Sequence, residues 1–171
     1  MERDTRMVSE SKSAPAGAGS WTHQNGNAAN TLCSDDEIVR GALSLQWYRD
    51  VDFEIVNRHG QGPAPLVSNG LMIVGGVHGL CCIDVYNGRR IWEHSIPGFL
   101  SDYDGIHHDV GVGDTGSPFC IGGNSVFFKQ GPHCTRLDLQ TGRKLSEYKT
   151  PAAEDAKDRN WGVLLWHGDV L

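Results

Sequence analysis

The sequence lacks the short motifs that mark the most familiar enzyme active sites. It has no Gly-x-Ser-x-Gly nucleophile turn and no phosphate-binding P-loop. No apolar run approaches the ~18 residues that a membrane-spanning helix needs. Residues 1–20 carry charges of both signs and no apolar segment of the kind that forms a secretory signal. We therefore expect no catalytic residues of these classes, no membrane span and no signal peptide in this chain.

Positive charge and paired cysteines are also scarce. The 15 Lys and Arg residues are outnumbered by 21 Asp and Glu residues, which gives a formal net charge of −6. Nucleic-acid binding needs a clustered basic surface, so this balance argues against a nucleic-acid partner. The cysteines are odd in number and have no C-x-x-C spacing typical of zinc sites. The pattern favours five small, buried strand residues over metal ligands: Cys33, Cys81, Cys82, Cys120 and Cys134.

Glycine, by contrast, is abundant. The chain has 22 glycines, nearly double the average share of about 7%, which predicts turns and short strands rather than long helices. The cleanest example runs from Ile83 to Trp92 and has the pattern of two strands joined at Asn87-Gly88. Asn-Gly is the dipeptide that most readily supplies the positive φ angles of a type I′ turn. Asp84, just before the turn, is placed to accept hydrogen bonds from turn amides.

A related stretch recurs further along the chain. Asp84 and Asp138 are 54 residues apart (138 minus 84), and Gly88 and Gly142 keep the same spacing. Each copy lies near the end of a run of four short predicted strands. The chain therefore contains an internal repeat whose unit is a four-stranded antiparallel meander.

The units divide the chain into parts. Residues 1–20 are rich in Ser, Ala, Gly and charge and are predicted to be a disordered leader. One unit spans about 63–97, a second about 118–151, and an incomplete third begins at 161, where residues 161–165 are predicted to open it as a strand. Upstream, an alternation of apolar and polar residues predicts a further half-buried strand at Leu43, Leu45 and Trp47.

Repeats of this length, each a four-stranded meander, are typical of a β-propeller. One such sheet, or blade, cannot bury both of its faces, so neighbouring blades must cover them and the ring must close to remove exposed edges. About two and a half repeats cannot close a ring. We therefore expect residues 21–171 to form an all-β, partial, unclosed propeller that is a fragment of a larger one. Its partners are then the remaining blades or another protein, with self-association through open sheet edges.

The repeats resemble the PQQ-like propeller repeats of quinoprotein dehydrogenases and of the outer-membrane barrel-assembly lipoprotein. Their signature is Ala-x-Asp-x-x-Thr-Gly-x-x-x-Trp, in which the tryptophan docks on the glycine turn of the next blade. Both copies here match the aspartate and the glycine, but only the first has the tryptophan: Asp84, Gly88 and Trp92 against Asp138, Gly142 and Ser146. The resemblance implies that the matching residues dock blades together. Residues 21–171 as a whole are most similar to PQQ-like repeat proteins of planctomycete-type bacteria.

The resemblance implies a function only in outline. We expect a non-catalytic scaffold for a protein or ligand in an extracytoplasmic (periplasmic) bacterial setting; the alternative is part of a PQQ-dependent oxidoreductase. PQQ enters by resemblance only, since no matched residue supports a cofactor. Quinoprotein alcohol dehydrogenases cover PQQ with a ring of two adjacent, disulfide-linked cysteines. Cys81-Cys82 instead lies inside the repeat motif, where strand alternation places the two side chains on opposite faces.

Two polar loops carry the remaining candidates. Arg58 and His59, bounded by glycines, lie in the loop before the first unit, where a cation and an imidazole suit an anionic ligand. His107 and His108 lie among aspartates in the loop after that unit, where a divalent metal is the functional alternative to a polar connection. These four residues are the ligand-loop candidates; no catalytic or metal residue is assigned.

Overall fold

The computed structural model describes residues 14–49, 54–55, 62–101, 117–151 and 159–171. Eight strands form two four-stranded antiparallel sheets, and in each sheet the strands lie in chain order. The first sheet contains β1 Leu66–Ser68, β2 Leu71–Gly76, β3 Gly79–Asp84 and β4 Arg90–Ser95. The second contains β5 Phe119–Gly122, β6 Ser125–Gln130, β7 His133–Asp138 and β8 Lys144–Lys149. The predicted all-β class and the four-stranded meanders are confirmed.

The β1–β2 hairpin shows why these sequences turn where they do. Asn69 and Gly70 have φ angles of 52° and 76°, which only glycine and asparagine adopt readily. Two consecutive positive φ angles are the mark of a type I′ turn, whose twist matches that of the flanking strands. The turn sets the pairing of Ser68 with Leu71, from which the register of the hairpin follows.

The turn between β3 and β4 differs from the predicted type I′ turn. Gly88 has a φ of 72°, but Asn87 is not among the residues with positive φ. The amide of Gly88 donates to the carbonyl of Asp84, and the amide of Asp84 donates to the carbonyl of Arg89. The loop is therefore four residues long, a length most often built around a type I turn. Asn87 instead supplies its side-chain oxygen to the amide of Arg89.

One hydrophobic core lies between the two sheets. Strand alternation sends one set of side chains from each sheet into it: Leu66, Ile73, Leu80, Cys82 and Trp92 from the first, and Phe119, Ile121, Val126, Phe128, Leu137 and Leu139 from the second. Phe99 closes one side of this core, with its ring 5.6 Å from that of Phe128 in an edge-on contact. The sheets therefore pack face to face, as adjacent blades do.

Two predicted strands are absent. Leu43 and Leu45 belong to no strand and are 81% and 82% exposed, because no described strand pairs with their backbone. Residues 161–165 are likewise outside any strand, although the amides of Trp161 and Leu164 donate to the carbonyls of Gly131 and Ser117. Within residues 159–171 the only β-bridge joins His167 and Val170. Isolated extended segments lack the ladder hydrogen bonds that define a strand. In the described part of the chain, no helix is long and apolar enough to cross a membrane.

Candidate functional site

The two sheets are locked together by a tryptophan seated on a glycine turn. The ring of Trp92 lies so close to Gly142 that a Cβ atom on this glycine would be 2.6 Å from the indole. The indole Nε1 donates to the carbonyl of Leu139 at 2.9 Å. Gly142 has a φ of 68°, so both the close approach and the backbone angle require glycine. Trp92 thereby fixes the last strand of the first sheet to the last turn of the second.

Among the described residues the same arrangement is found a second time, at a place that the sequence pattern did not indicate. Trp47 lies on Gly88, where an added Cβ would be 2.6 Å from the ring. Its Nε1 donates to the carbonyl of Val85 at 2.7 Å, and Arg49 donates to the carbonyl of Gly88 at 2.9 Å. Val85 and Leu139 are 54 residues apart (139 minus 85), so the acceptors are equivalent positions of the repeat. The sequence indicates this contact only through Trp47 itself, a tryptophan that precedes the first complete unit without the aspartate and glycine of the repeat motif before it.

The repeated aspartates hold their turns rather than face a ligand. Asp84 accepts from the amide of Tyr86 at 2.8 Å, and Asp138 accepts from both the amide and the hydroxyl of Thr141 at 2.8 Å. The side-chain hydrogen bond from Thr141 is the main cause that lowers the pKa of Asp138 below its usual value. Carboxylates saturated by turn donors are poor general bases.

A segment near the start of the chain crosses the inner edges of both sheets. We call residues Trp21–His23 the strap. Trp21 exchanges two backbone hydrogen bonds with Val67 of β1, at 2.7 and 2.8 Å, and the carbonyl of Thr22 accepts from the amide of Ile121 of β5 at 2.9 Å. Val67 and Ile121 are equivalent positions (121 minus 67 is 54). The strap therefore satisfies backbone groups of two neighbouring inner strands, which are otherwise open edges.

The third contact of the strap is made by a buried histidine. His23 is 2% exposed, and its Nε2 accepts from the amide of Trp166 at 2.9 Å. Because an amide only donates, Nε2 must be unprotonated, so Nδ1 carries the proton and donates to the hydroxyl of Thr22 at 2.8 Å. Burial lowers the pKa of His23 below its usual value. His23 thus ties the strap to the last segment in its neutral form.

Two cavities that are open to solvent are lined by described residues. The smaller, about 380 Å³, lies in the cleft between the sheets and is lined by His94, His133, Lys144 and Glu147 among others. Its charges pair internally, since Lys144 contacts Glu147 at 2.7 Å and His133 lies 3.3 Å from the same carboxylate. The larger, about 650 Å³, lies on the outward face of the second sheet. We call this larger cavity the second-sheet groove.

Four of the five cysteines are buried in strands as predicted, whereas Cys33 is exposed and outside any strand, so the prediction is wrong for Cys33. None of the five forms a disulfide. Burial raises the pKa of Cys82, Cys120 and Cys134 to about 12 in each case, so these thiols stay protonated and unreactive at neutral pH. Cys81 pairs with Val74 in the ladder and Cys82 with Ile73, the next residue. Consecutive residues of a paired strand point to opposite faces, so the two do not fit the disulfide ring that holds PQQ.

The remaining candidates lie elsewhere. Arg58, His59, His107 and His108 fall outside the described residues. Nowhere in the described ranges do three His, Cys, Asp or Glu side chains come together as a metal would need. Gly111, Gly113 and Gly116 have the spacing of a dinucleotide-binding turn, also outside those ranges. That spacing has meaning only between a strand and a helix, and the element that follows here is β5.

Comparison with known proteins supports the fold. No protein-family model and no curated protein matches the chain. A europium-containing methanol dehydrogenase matches with a TM-score of 0.51 and 19% identity, over 78% of this chain and 23% of that one. The quinohemoprotein alcohol dehydrogenase ADHIIG from Pseudomonas putida HK5 matches with a TM-score of 0.51 and 19% identity, over 80% of this chain and 20% of that one. BamB from Moraxella catarrhalis matches more distantly, with a TM-score of 0.36 and 16% identity, over 54% of this chain and 26% of that one.

The two dehydrogenase matches show that the chain shares the quinoprotein-like β-propeller fold, which confirms the resemblance predicted from the repeats and the partial, unclosed propeller. The chain spans about a fifth to a quarter of the length of the two dehydrogenases. At this level of identity the fold alone is shared. The narrower likeness to planctomycete-type proteins is not supported by any of the three matches.

Proposed function

We propose that the protein is a non-catalytic propeller segment that acts as a binding scaffold, completed by further blades or by another protein. One observation carries this proposal. Trp47 docks on the Gly88 turn as Trp92 docks on Gly142, yet Trp92 belongs to a strand and Trp47 pairs with none in the described part of the chain. The segment around Trp47 therefore has the position of a blade's last strand, and the other strands of that blade are not among the described residues.

The exposed side chains of this segment support the proposal. Leu43, Leu45 and Tyr48 are each more than 80% exposed, an unusual state for three large hydrophobic side chains in one short segment. An extended segment with unpaired amides and carbonyls is a template for pairing with another strand. The occupant that fits is the open edge of a β-sheet, supplied by another blade.

The proposal is tested by the association of the protein with itself, since a second copy also has open sheet edges. Sedimentation velocity of the full chain should show association that grows with concentration. Leu45→Asp should weaken it at least several-fold because it places a charge at the pairing edge. Val39→Asp, at a position that is also 67% exposed but outside this segment, should not. An unaltered protein that stays monomeric at every concentration contradicts the proposal.

The alternative function is that of a part of a PQQ-dependent oxidoreductase, since the chain shares its fold with two dehydrogenases. Among the described residues the cysteine pair does not fit the cofactor, and no step is assigned to it. Adding PQQ and calcium with an artificial electron acceptor separates the two functions. Turnover that is lost on substitution of Arg58 or His107 would overturn the scaffold function.

Three further expectations belong to the same proposal. The unit boundaries at about 63–97, 118–151 and from 161 are proposed as the blade boundaries. Arg58, His59, His107 and His108 are proposed to face ligands from the loops between blades, where propellers commonly bind. The compartment is proposed to be extracytoplasmic, from the family resemblance.

A further inference from the structure

The first unit contributes a cross-strand pair of residues to the interface between the sheets, and the second unit has other residue types at the equivalent positions. In the first sheet Cys82 of β3 is paired across the ladder with Trp92 of β4, and both side chains belong to the core that meets the second sheet. The equivalent pair in the second sheet is Arg136 and Ser146, each 54 residues later (136 minus 82, 146 minus 92). Two apolar side chains have thus become a cation and a hydroxyl. Departures from a local packing rule are expected at functional sites.

Within the described residues, the guanidinium of Arg136 is held by a hydroxyl and an aromatic ring and not by a carboxylate. Its Nε donates to the hydroxyl of Ser125 at 2.8 Å, and its central carbon lies 5.7 Å from the centre of the Phe127 ring. Among the described residues no carboxylate lies within salt-bridge distance of it. The terminal nitrogens therefore keep a planar fork of donors that suits a carboxylate.

Aromatic side chains wall the second-sheet groove beside this arginine. Phe127 and Trp166 are stacked, with ring centres 5.0 Å apart and planes 19° apart. Trp161 is fixed by a hydrogen bond from its Nε1 to the carbonyl of Pro132 at 3.0 Å, and Tyr148 also lines the groove. The volume of about 650 Å³ falls within the range of small-molecule sites, roughly 300–1,000 Å³.

We propose that the second-sheet groove binds a planar aromatic carboxylate, held by Arg136 and stacked among Phe127, Trp161 and Trp166. Lys149 and Asp169 also line the groove. The proposal rests on the scaffold function, because a further blade packed on this face would enclose the ligand. Enclosing a guanidinium without an anionic partner in such an interface is costly, so a bound carboxylate would stabilise it there. The volume and the aromatic walls favour a small molecule over an acidic side chain of a partner.

The first test uses the unaltered chain and two probes. Isothermal titration calorimetry with 2-naphthoate should show one saturable site. The neutral isostere 2-naphthamide should bind at least about tenfold more weakly, since a charge-assisted bond is lost. Equal affinity for the two probes, or no saturable binding of 2-naphthoate, overturns the proposal. This comparison needs no substitution and so does not depend on the folding of a variant.

Variants then locate the site. Arg136→Met should weaken 2-naphthoate binding at least about tenfold, whereas Arg143→Met, at an exposed arginine in the neighbouring turn, should leave it unchanged. Ser146→Trp restores the residue of the first unit and should abolish binding by filling the groove. Unchanged affinity in Arg136→Met and Ser146→Trp contradicts the proposal. Sedimentation velocity of the same variants distinguishes failure of the ligand proposal from failure of the scaffold proposal. A variant that loses self-association tests the scaffold function, whereas a variant that loses only 2-naphthoate binding tests the groove.

Discussion

A docking tryptophan at the blade interface leaves no room for a side chain on the glycine beneath it. Gly142→Ala should lower the free energy of unfolding by roughly 1–2 kcal/mol from its left-handed backbone, and by a further ~1–3 kcal/mol because the new methyl overlaps Trp92. Gly123→Ala is the matched control. Gly123 has a φ of 56° and nothing within 4 Å of an added Cβ, so only the backbone cost applies. Urea unfolding measures both, and equal losses would show that the Trp92 contact is not tight.

The thiols give a second prediction at the same scale. Cys33 is exposed and the other four cysteines are buried, so N-ethylmaleimide at pH 7.5 should add once to the native protein and five times in denaturant. Intact mass spectrometry counts the adducts. Two or more rapid adducts on the native protein would show that the strand cysteines are accessible.

Alkaline pH should lower the free energy of unfolding because the buried thiols stay protonated in the folded state. Burial raises the pKa of Cys82, Cys120 and Cys134 to about 12, from a usual value of 9.0. The folded state then keeps protons that the unfolded state releases above pH 9. The corresponding stability is complete below pH 9 and is lost as the pH rises towards 12. No such loss is expected between pH 7 and 9.

Among the elements, the strap has a pH dependence of its own. Burial lowers the pKa of His23 from the usual value of 6.5, so below pH 6.5 the unfolded chain takes up a proton that the folded chain refuses. The stability that depends on the neutral His23 ring is complete above pH 6.5 and is lost as the pH falls towards the lowered pKa. The loss is at most about 1.4 kcal/mol per pH unit. His23→Gln keeps an acceptor for the amide of Trp166 and does not titrate.

The measurement is the free energy of unfolding between pH 7 and pH 5. The unfolding free energy of the unaltered protein should fall more steeply with decreasing pH than that of His23→Gln. The difference corresponds to the uptake of up to one proton on unfolding. His167→Gln provides the control, since His167 is exposed and lies beside Trp166. If His23→Gln and the unaltered protein share one slope, the ring is not held neutral in the folded state.

The elements also show what the sequence is able to predict. The two meanders follow from alternation and from turns such as Asn69-Gly70, which act over a few residues. The strand expected around Leu45 fails because a strand depends on a neighbour, and periodicity does not say whether a neighbour is there. The contact of Trp47 with Gly88 joins residues 41 apart (88 minus 47) and leaves no local pattern. The second-sheet groove is visible in the sequence only as two substitutions between repeats, Arg136 and Ser146.

On the scale of the whole molecule, the shared core couples the two blades. Each sheet is too thin to bury its own apolar face, so most of the stability of a blade comes from its interface with its neighbour. The core between the sheets draws side chains from seven of the eight strands, all except β8. A second, smaller cluster lies on the outward face of the second sheet around Leu164.

The separation into a shared core and an outward cluster predicts which strands a core substitution destabilises. Leu137→Ala removes a side chain with no exposed surface from the shared core and should cost roughly 2–5 kcal/mol. Because the blades are expected to open together, amide hydrogen exchange should accelerate in β2 and β3 of the first sheet as much as in β6 and β7 of the second. Leu164→Ala, 1% exposed but in the outward cluster, should accelerate exchange in the second sheet and leave the first protected. Protection of the first sheet that survives Leu137→Ala would mean that each blade is stable alone, and the argument for recruitment of further blades would lose its physical basis.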